Sequence, residues 1–379
     1  MKTLIKNARI ISPDVDIPNG AVLFDGKKIT AVYLEHEELP AVDKVIDAGG
    51  KMVVPGFIDV HFHGRSGHDF CDGNLESLTI IANDKIQDGV TSFLGTTLTV
   101  GEEQLSAALR SAAEYMKAPT GAKVAGIHLE GPFINPKCLG AQNPEFIRKP
   151  DIEMVKRLNA IYPVKKVSYA LEVEGALEFT QQLLALGITP SCVHTAAPYK
   201  DYLNASRYGF KNLSHFCNQM TPLHHRDIGM VGAGLLHDEA YAELICDKLH
   251  ICPEMIKLVF KVKGAEHIQL ITDAMRAAGM PDGQYDLGGM NVIVKDNAAR
   301  LENGALAGST LLYYTGLRNV HEITGYPLKE LIKSTSWAQA QALNLPGVGK
   351  IEAGFAADVL ILEDDFTPAA VFVDGERKL

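Results

Sequence analysis

The middle of the chain alternates short apolar runs with longer amphipathic stretches, and this rhythm constrains the fold more than any other feature. Eight runs are rich in β-branched and apolar residues and have the length of strands. Helix-like segments such as 75–87, 102–117 and 174–186 separate several of them. Eight such units in somewhat more than the ~250 residues typical of such barrels predict an α/β protein with a (β/α)8, TIM-like barrel. The predicted strands are 53–60, 91–94, 124–129, 166–171, 189–193, 212–214, 241–246 and 268–271.

An open, doubly wound sheet has a similar rhythm and is the alternative. That fold carries a glycine-rich phosphate-binding loop after its first strand. The sequence has no such loop at that position. The barrel is therefore the favoured arrangement.

Both ends of the chain differ from the middle. They consist of short β-like segments separated by turn pairs such as Asn19-Gly20 and Asp374-Gly375. Each end alone is too short to bury a core, so we expect the two ends to pair with each other. The predicted domains are a small β-sandwich of residues 1–53 with 346–379 and a catalytic barrel of residues 54–345.

The composition is acidic, with 36 Lys and Arg against 46 Asp and Glu and a formal net charge of −10. This balance disfavours nucleic acid or an anionic membrane as the main partner, because both attract positive fields. The N-terminal residues lack the apolar core of a signal peptide, and no run approaches the ~18 apolar residues of a membrane helix. Six cysteines without a C-x-x-C pair indicate reduced thiols. We expect a cytoplasmic protein that binds neither nucleic acid nor membrane.

Residues with metal-binding side chains occupy the ends of the predicted strands. His61 and His63 end the first strand and point to the same side of an extended chain. In a barrel all strand ends meet on one face, where barrel enzymes place their active sites. Singly, each residue has an ordinary alternative role as a hydrogen-bonded histidine or a helix cap, but their combination predicts a centre for a divalent ion. The other strand-end residues are Glu130, His194, His215, His250 and Asp273.

The segment from Pro55 to Gly64, PGFIDVHFHG, resembles the first-strand motif of the amidohydrolase superfamily of metal-dependent hydrolases. The order His-x-His, Glu, His, His, Asp is similar to one branch, the N-acetylglucosamine-6-phosphate deacetylase family. The resemblance covers nearly the whole chain and implies hydrolysis of N-acetyl-D-glucosamine 6-phosphate to D-glucosamine 6-phosphate and acetate. Further segments that match the family's pattern are 128–133, 140–144, 215–220, 224–226 and 306–309.

The resemblance also implies a divalent metal cofactor, with zinc the preferred ion and one or two ions per subunit. Many superfamily members bridge two ions with a carboxylated lysine from the fourth strand. Residues 167–172 offer no lysine, which leaves the bridging or single-metal role to Glu130. The principal ion would be held by Glu130, His194 and His215, and a second ion by His61 and His63.

Amide hydrolysis requires a proton for the departing amine, because an amide nitrogen leaves poorly as an anion. Asp273 is the predicted catalytic residue, which would take a proton from the attacking water and give it to the sugar nitrogen. The alternative role for Asp273 is a third metal carboxylate, and the two roles overlap if it also touches the second ion.

A sugar phosphate on so acidic a chain needs a local cluster of cations, and His224-His225-Arg226 provides one after the sixth strand. The resemblance implies that Arg226 contacts the phosphate from the neighbouring subunit of a homodimer; a basic surface loop is the alternative. Gln142 cannot titrate, which excludes an acid role there, and Cys138 is expected to be an ordinary residue of the same loop. The predicted substrate-binding residues are Ala141, Gln142, Asn218, Gln219, Arg226, His250, Leu306, Ala307 and Gly308.

Two other functions compete with this one. The first is another amidohydrolase that acts on a different N-acetyl sugar or on a cyclic amide and does not require the phosphate. The second is a non-catalytic barrel relative that serves as a scaffold. Such relatives usually lose their metal ligands, whereas each ligand position here holds a competent residue.

Overall fold

The computed structural model describes all residues from 1 to 379. In chain order the strands are β1 (Lys2–Ser12), β2 (Val15–Asp25), β3 (Lys28–Leu34), β4 (Lys44–Asp47), β5 (Met52–Pro55), β6 (Phe57–Asp59), β7 (Gly64–Arg65), β8 (His68–Asp69), β9 (Val90–Thr96), β10 (Lys123–Glu130), β11 (Val164–Tyr169), β12 (Thr189–Cys192), β13 (Asn212–Leu213), β14 (Tyr241–Ile245), β15 (Ile268–Ile271), β16 (Gly283–Leu287), β17 (Met290–Lys295), β18 (Ala298–Leu301), β19 (Val359–Leu362), β20 (Pro368–Val373) and β21 (Glu376–Arg377). The α-helices are α1 (Leu75–Gln87), α2 (Glu102–Tyr115), α3 (Ile152–Ile161), α4 (Ala176–Ala185), α5 (Tyr199–Ser206), α6 (Gly229–Leu236), α7 (Pro253–Lys263), α8 (Tyr313–Thr324), α9 (Leu328–Ile332) and α10 (Ala338–Ala342).

Eight parallel strands form the predicted barrel, in the order β6, β9, β10, β11, β12, β13, β14 and β15, which confirms the α/β barrel fold. The first and last of these strands do not pair as a ladder, so other groups close the gap between them. At the carboxyl end the Asp273 backbone N–H donates to the His61 carbonyl at 2.9 Å. Deeper in the gap the Tyr313 hydroxyl lies 2.9 Å from the Leu270 carbonyl and 3.3 Å from the Ile58 carbonyl.

The predicted first strand, 53–60, is in fact two strands that belong to different sheets. Strand β5 lies in the sheet of the chain ends, and β6 lies in the barrel. Pro55 has no N–H with which to continue a ladder. Gly56 allows a close approach to Thr91, whose side chain a Cβ at this position would meet at 2.2 Å. The Pro55-Gly56 pair is therefore the point where the chain crosses from one sheet to the other.

Both chain ends contribute to the second sheet, whose order is β21, β20, β19, β5, β1, β2 and β3, with β4 beside β1. This sheet buries a core separate from that of the barrel, in which the Phe24 and Phe372 rings pack with centroids 5.6 Å apart. The expected pairing of the two chain ends is thus present. The domain boundaries at residues 53/54 and 345/346 stay a prediction.

A cluster of charges ties the barrel to the second sheet. Lys123, the first residue of β10, lies 2.9 Å from Asp358 before β19 and 2.6 Å from Asp374 after β20. Burial alone would lower the pKa of Lys123, but the two carboxylates outweigh burial and raise it. The domains are therefore joined by charge as well as by apolar contact.

The structure adds one element that the strand rhythm did not predict. After the eighth barrel strand, β16, β17 and β18 form a separate antiparallel sheet. Its loops reach the carboxyl rim of the barrel, where Leu287 and Leu306 line the central cavity. None of the helices combines the length and the apolar character needed to cross a membrane.

Candidate metal centre

The predicted ligands meet at the carboxyl rim of the barrel. Glu130 is the last residue of β10. His194, His215 and Asp273 each follow the end of a strand by two residues, and His61 and His63 come just after β6. All six side chains are buried. They fall into two groups, a first cluster of Glu130, His194 and His215 and a second cluster of His61, His63 and Asp273.

Three of these residues have a strained backbone. His194, His215 and Asp273 have φ angles of +44°, +29° and +49°, in the left-handed region that non-glycine residues rarely adopt. Such conformations cost on the order of 1–3 kcal/mol each and collect at functional sites, where the surrounding structure enforces them. The strain therefore marks this rim as a functional site independently of the side-chain chemistry.

The ligand atoms of the first cluster have the spacing of a tetrahedral metal site. Nε2 of His194 lies 3.4 Å from Nε2 of His215. Oε1 of Glu130 lies 3.4 Å from the His194 nitrogen and 3.2 Å from the His215 nitrogen. Ligands placed about 2.0–2.1 Å from a tetrahedral zinc are separated from one another by about 3.3–3.4 Å. The three atoms therefore form one face of a tetrahedron suited to that ion.

The second cluster adjoins the first through Glu130. His63 Nε2 lies 3.2 Å from Asp273 Oδ1 and 3.1 Å from Glu130 Oε2. His61 Nε2 lies 3.4 Å from Glu130 Oε1 and 3.7 Å from Asp273 Oδ1. This His61 nitrogen is buried and has no hydrogen-bond partner, which leaves its lone pair available to a cation. Glu130 thus faces both clusters: Oε1 lies beside both first-cluster imidazoles and His61, and Oε2 lies beside His63.

The electrostatics of the rim favour a positive charge. Burial would lower the pKa of His61, but the carboxylates of Glu130 and Glu243 outweigh it and raise the pKa to about 9. Burial would likewise raise the pKa of Glu130, yet the adjoining imidazoles hold it well below its usual range. The negative field that retains a proton on His61 also favours a divalent cation in place of that proton.

Two imidazoles are held so that Nε2 faces the centre. The Nδ1 of His194 lies 2.7 Å from the Cys138 carbonyl, and that of His61 lies 2.8 Å from Glu243. Carbonyl and carboxylate oxygens only accept hydrogen bonds, so Nδ1 is the donor in both rings and Nε2 is free to bind a metal. Cys138 therefore acts on this site through its backbone, and its thiol is not among the ligands.

The fourth barrel strand contains a buried lysine that the strand-end pattern did not indicate. Lys166 lies in β11, two residues before Ser168, which is the residue paired with Glu130. Its ammonium group contacts Glu243 in β14. Lys166 is therefore engaged with Glu243 deeper in the barrel than the ligand clusters, and the absence of a bridging lysine stays a prediction.

An open cavity of about 210 Å³ lies above the two clusters. Gly308 has a φ of +59°, and a Cβ there would come within 3.0 Å of the Asp273 carbonyl, so glycine permits this close approach. The cavity wall contains neither lysine nor arginine. Of the predicted substrate-binding residues, those that line the cavity are Ala141, Gln142, Asn218, Gln219, His250, Leu306 and Gly308.

Two predicted substrate-binding residues do not line this cavity. Ala307 is fully buried, and its backbone N–H donates to Ala299 instead. Arg226 lies on the exposed segment 222–227, and its guanidinium group contacts His225 at 2.6 Å. Within a single subunit, therefore, the structure does not bring Arg226 to the cavity.

Sequence reasoning also missed polar residues that hold the cavity in shape. His250 Nδ1 lies 2.6 Å from Asp247, whose carboxylate also accepts the His250 backbone N–H at 2.8 Å. Glu172 accepts bonds from Asn135 at 2.6 Å and from Thr195 at 2.5 Å, so it joins two loops beside His194. Asp247 follows a strand end, a position that could have indicated such a role.

The barrel and its two clusters at the carboxyl rim define a hydrolase of the amidohydrolase class. Residues 259–378 match the model of the Amidohydrolase family. This region contains Asp273 and the eighth barrel strand, whereas the first cluster lies outside it. The match to the family model therefore supports the amidohydrolase class without depending on most of the predicted metal ligands.

Relatives across the whole chain define the family more closely. An N-acetylglucosamine-6-phosphate deacetylase of Lysinibacillus sphaericus is 38% identical over 90% of this chain and 88% of its own. An N-acetylgalactosamine-6-phosphate deacetylase of Escherichia coli O157:H7 is 36% identical over 89% of this chain and 90% of its own. The crystal structure of the N-acetylglucosamine-6-phosphate deacetylase from Thermotoga maritima superposes with a TM-score of 0.90 at 35% identity and 99% coverage of both chains. The chain belongs to the N-acetylglucosamine-6-phosphate deacetylase family, which confirms the resemblance read from the motifs.

Proposed function

We propose that this protein hydrolyses N-acetyl-D-glucosamine 6-phosphate to D-glucosamine 6-phosphate and acetate, a step of amino-sugar catabolism. The observation that carries the proposal is the pair of adjoining ligand clusters, both contacted by Glu130, beneath an open cavity. The 38% identity to a deacetylase of that name over 90% of the chain supports the same substrate.

The residues fit a divalent cation, for which we propose zinc as the preferred ion. Nitrogen and oxygen ligands at tetrahedral spacing are a usual set for zinc. A bound ion would supply Lewis acidity, which polarises an amide carbonyl and lowers the pKa of water towards ~7. The first cluster would hold the principal ion, and the second cluster a further one, with Glu130 between the two.

Asp273 is the proposed general base and general acid. Burial raises the pKa of its carboxyl group, but the hydrogen bond with His63 and the neighbouring positive charge outweigh burial and lower it. The group is therefore ionised at neutral pH and can accept a proton from the attacking water. It returns that proton to the amide nitrogen as the carbon–nitrogen bond breaks, so the amine leaves neutral and acetate keeps the water oxygen.

The phosphate of the substrate needs a cation that the cavity wall of one subunit does not contain. Arg226 lies on segment 222–227, whose residues are all exposed, so its guanidinium group is accessible to another molecule. We propose that Arg226 reaches the cavity of a second copy in a homodimer. Its planar guanidinium group would bind the phosphate through paired hydrogen bonds.

A second candidate substrate is N-acetyl-D-galactosamine 6-phosphate. The deacetylase named for it is 36% identical over 89% of this chain, close to the value for the glucosamine relative. The two sugars differ only in the orientation of one hydroxyl group. We give preference to the glucose epimer because more of the relatives carry that name.

Acetate release from a panel of substrates tests the proposal. Zinc-loaded protein would be assayed with both 6-phosphates, with N-acetylglucosamine lacking phosphate, and with hydantoin as a cyclic amide. We expect the highest kcat/KM for the glucosamine phosphate and a raised KM without the phosphate. Hydantoin hydrolysis without acetate release from either phosphate would contradict the proposal and favour another amidohydrolase.

We also propose a cytoplasmic location. All six cysteines are free in the structure, and Cys71, Cys192 and Cys246 are buried. Free buried thiols are typical of a reducing compartment.

A further inference from the structure

A buried ion pair lies in the barrel directly beneath the two clusters. Lys166 of β11 contacts Glu243 of β14, and the two side chains are only 1% and 3% exposed. Removing two charges from water is expensive, and a buried pair often contributes little to stability. The pair therefore calls for an explanation other than stability.

The Glu243 carboxylate contacts one ligand from each cluster. Its Oε2 accepts a hydrogen bond from Nδ1 of the His61 ring at 2.8 Å. The same oxygen accepts from the backbone N–H of His215 at 3.3 Å. Its other oxygen, Oε1, contacts the Lys166 ammonium group. Each oxygen of Glu243 is thereby assigned, and the carboxylate has no freedom to rotate without losing a contact.

No other carboxylate contacts Nδ1 of the His61 ring. Asp59 is nearby, but it accepts only the backbone N–H of His61, at 3.4 Å. Its side chain is occupied instead by Lys85 at 2.6 Å and by the Thr272 hydroxyl at 2.6 Å. Control of the His61 tautomer therefore lies with Glu243.

The tautomer matters because it decides which nitrogen faces the second cluster. With Nδ1 donating to Glu243, the lone pair of His61 is on Nε2, which points at Glu130 and Asp273. An imidazole whose second nitrogen donates to a carboxylate is a better-oriented and more basic ligand. Lys166 keeps Glu243 in this position and neutralises its charge.

We propose that Glu243, held by Lys166, is the positioning residue that makes His61 a ligand and so determines whether the second cluster takes its ion. This inference rests on the second metal site of the proposed function. Lys166 of the fourth barrel strand would thus act on the site through the Glu243 carboxylate and would not bind the ions itself.

Metal binding by Glu243→Gln tests the proposal. The amide keeps the size of the side chain but removes its charge and its pairing with Lys166. Zinc affinity would be measured by equilibrium dialysis with metal analysis, and we expect the second ion to bind about 10- to 100-fold more weakly. The affinity for the first ion should change much less, because Glu243 contacts that cluster only through the backbone N–H of His215, at 3.3 Å. In manganese-loaded protein, the magnetic coupling between neighbouring ions should give way to the spectrum of an isolated ion.

Asp358→Asn is the matched control, because Asp358 is also a buried carboxylate paired with a lysine. It contacts Lys123 at the opposite end of β10 from Glu130, about 23 Å away at ~3.3 Å per strand residue. This control should bind both ions as the parent protein does. Weakening of both ions to the same extent in the two variants would show a merely structural role and overturn the proposal.

If Glu243→Gln fails to fold, the double variant Lys166→Met/Glu243→Leu removes both charges and leaves no unpaired ion in the core. It must show the same selective loss of the second ion; unchanged binding of two ions would refute the proposal. Failure of this inference can be distinguished from failure of the proposed function. If the parent protein releases acetate but binds only one ion, the role of Glu243 is refuted and the proposed function stands. If the parent protein binds two ions but releases no acetate, the proposed function is refuted and the role of Glu243 stands.

Discussion

Gln142 donates a hydrogen bond of 2.8 Å from its amide nitrogen to Oε2 of Glu130, the carboxylate shared by the two clusters. Its amide oxygen accepts the backbone N–H of Thr99, also at 2.8 Å. The Gln142 amide group therefore cannot flip without losing both hydrogen bonds. Gln142, which was predicted to bind substrate, thus also fixes the orientation of the Glu130 carboxylate.

The first prediction concerns this contact. Gln142→Leu removes the donor to Glu130 and leaves the Thr99 N–H without its acceptor. Because groups that orient ligands typically contribute 10- to 100-fold in metal affinity, we expect zinc binding to weaken by about that factor. Gln104→Leu, which loses a bond to the Cys71 carbonyl on the far side of Leu98, should leave zinc binding unchanged. Equal effects in the two variants would contradict the assignment.

The second prediction concerns proton transfer. Asp273→Asn keeps the shape of the side chain but can no longer accept and return a proton. We expect kcat to fall by about 10²- to 10⁴-fold with little change in KM, because the lost interaction belongs to the transition state. The exposed Asp296→Asn, in the turn after β17, serves as control. An increase in KM at unchanged kcat would show instead that Asp273 only binds substrate.

The third prediction concerns Arg226. Arg226→Ala should raise KM for the phosphorylated substrate by about 10- to 100-fold, as expected for loss of a hydrogen bond between charged groups, and should leave kcat nearly unchanged. If Arg226 completes the cavity of a second copy, inactive Asp273→Asn subunits can lend their arginine to Arg226→Ala subunits.

Subunit mixing separates the two arrangements. Equal co-expression of the two variants should restore about a quarter of the parental sites, since half of the dimers are mixed and one site in each is complete. Activity that is only the average of the two separate variants would show that Arg226 does not act across an interface.

The fourth prediction concerns the tie between barrel and second sheet. Lys123→Met leaves the buried Asp358 without its partner, and we expect a loss of about 3 kcal/mol in the free energy of unfolding by urea. The neighbouring carboxylates raise the pKa of Lys123 above its ordinary value of 10.5. The lysine is charged in both folded and unfolded protein below that value, so its contribution is complete there.

The sign of the pH dependence follows from this shift. The stabilisation by Lys123 should be constant at neutral pH and should decline as the pH rises through the raised pKa. Lys156→Met removes an exposed pair with Glu153 and should change stability little at any pH. A difference between parent and Lys123→Met that grows above pH 10.5 would contradict this account.

The sequence predicted which side chains gather at the rim, because their positions follow from strand ends. His194, His215 and Asp273 each stand two residues beyond a strand, and parallel strands bring such positions to one rim whatever lies between them. Helix α1 was predicted at its observed bounds, and the structure shows that Asn74 caps it by accepting the Ser77 N–H at 2.8 Å. Features that depend on local order in the chain were therefore accessible.

Features that depend on which residues face each other across the barrel could not be predicted from the sequence. Glu243 stands within the apolar strand β14, and its partner Lys166 is 77 residues away. A charged residue in a strand gives no indication of what faces it across a barrel, so neither residue was recognised. The crossing at Pro55-Gly56 was missed for a related reason, because both sheets there are buried and the run reads as continuous.

In the proposed function, buried side chains at the barrel rim hold the ions that make an acetamide hydrolysable. The most direct measurement is acetate release from N-acetyl-D-glucosamine 6-phosphate by chelator-treated protein to which zinc is returned in stepwise equivalents. We expect no turnover in the metal-free protein and a recovery of activity that saturates once the clusters are filled. Full turnover after chelation, or none at any zinc concentration, would contradict it.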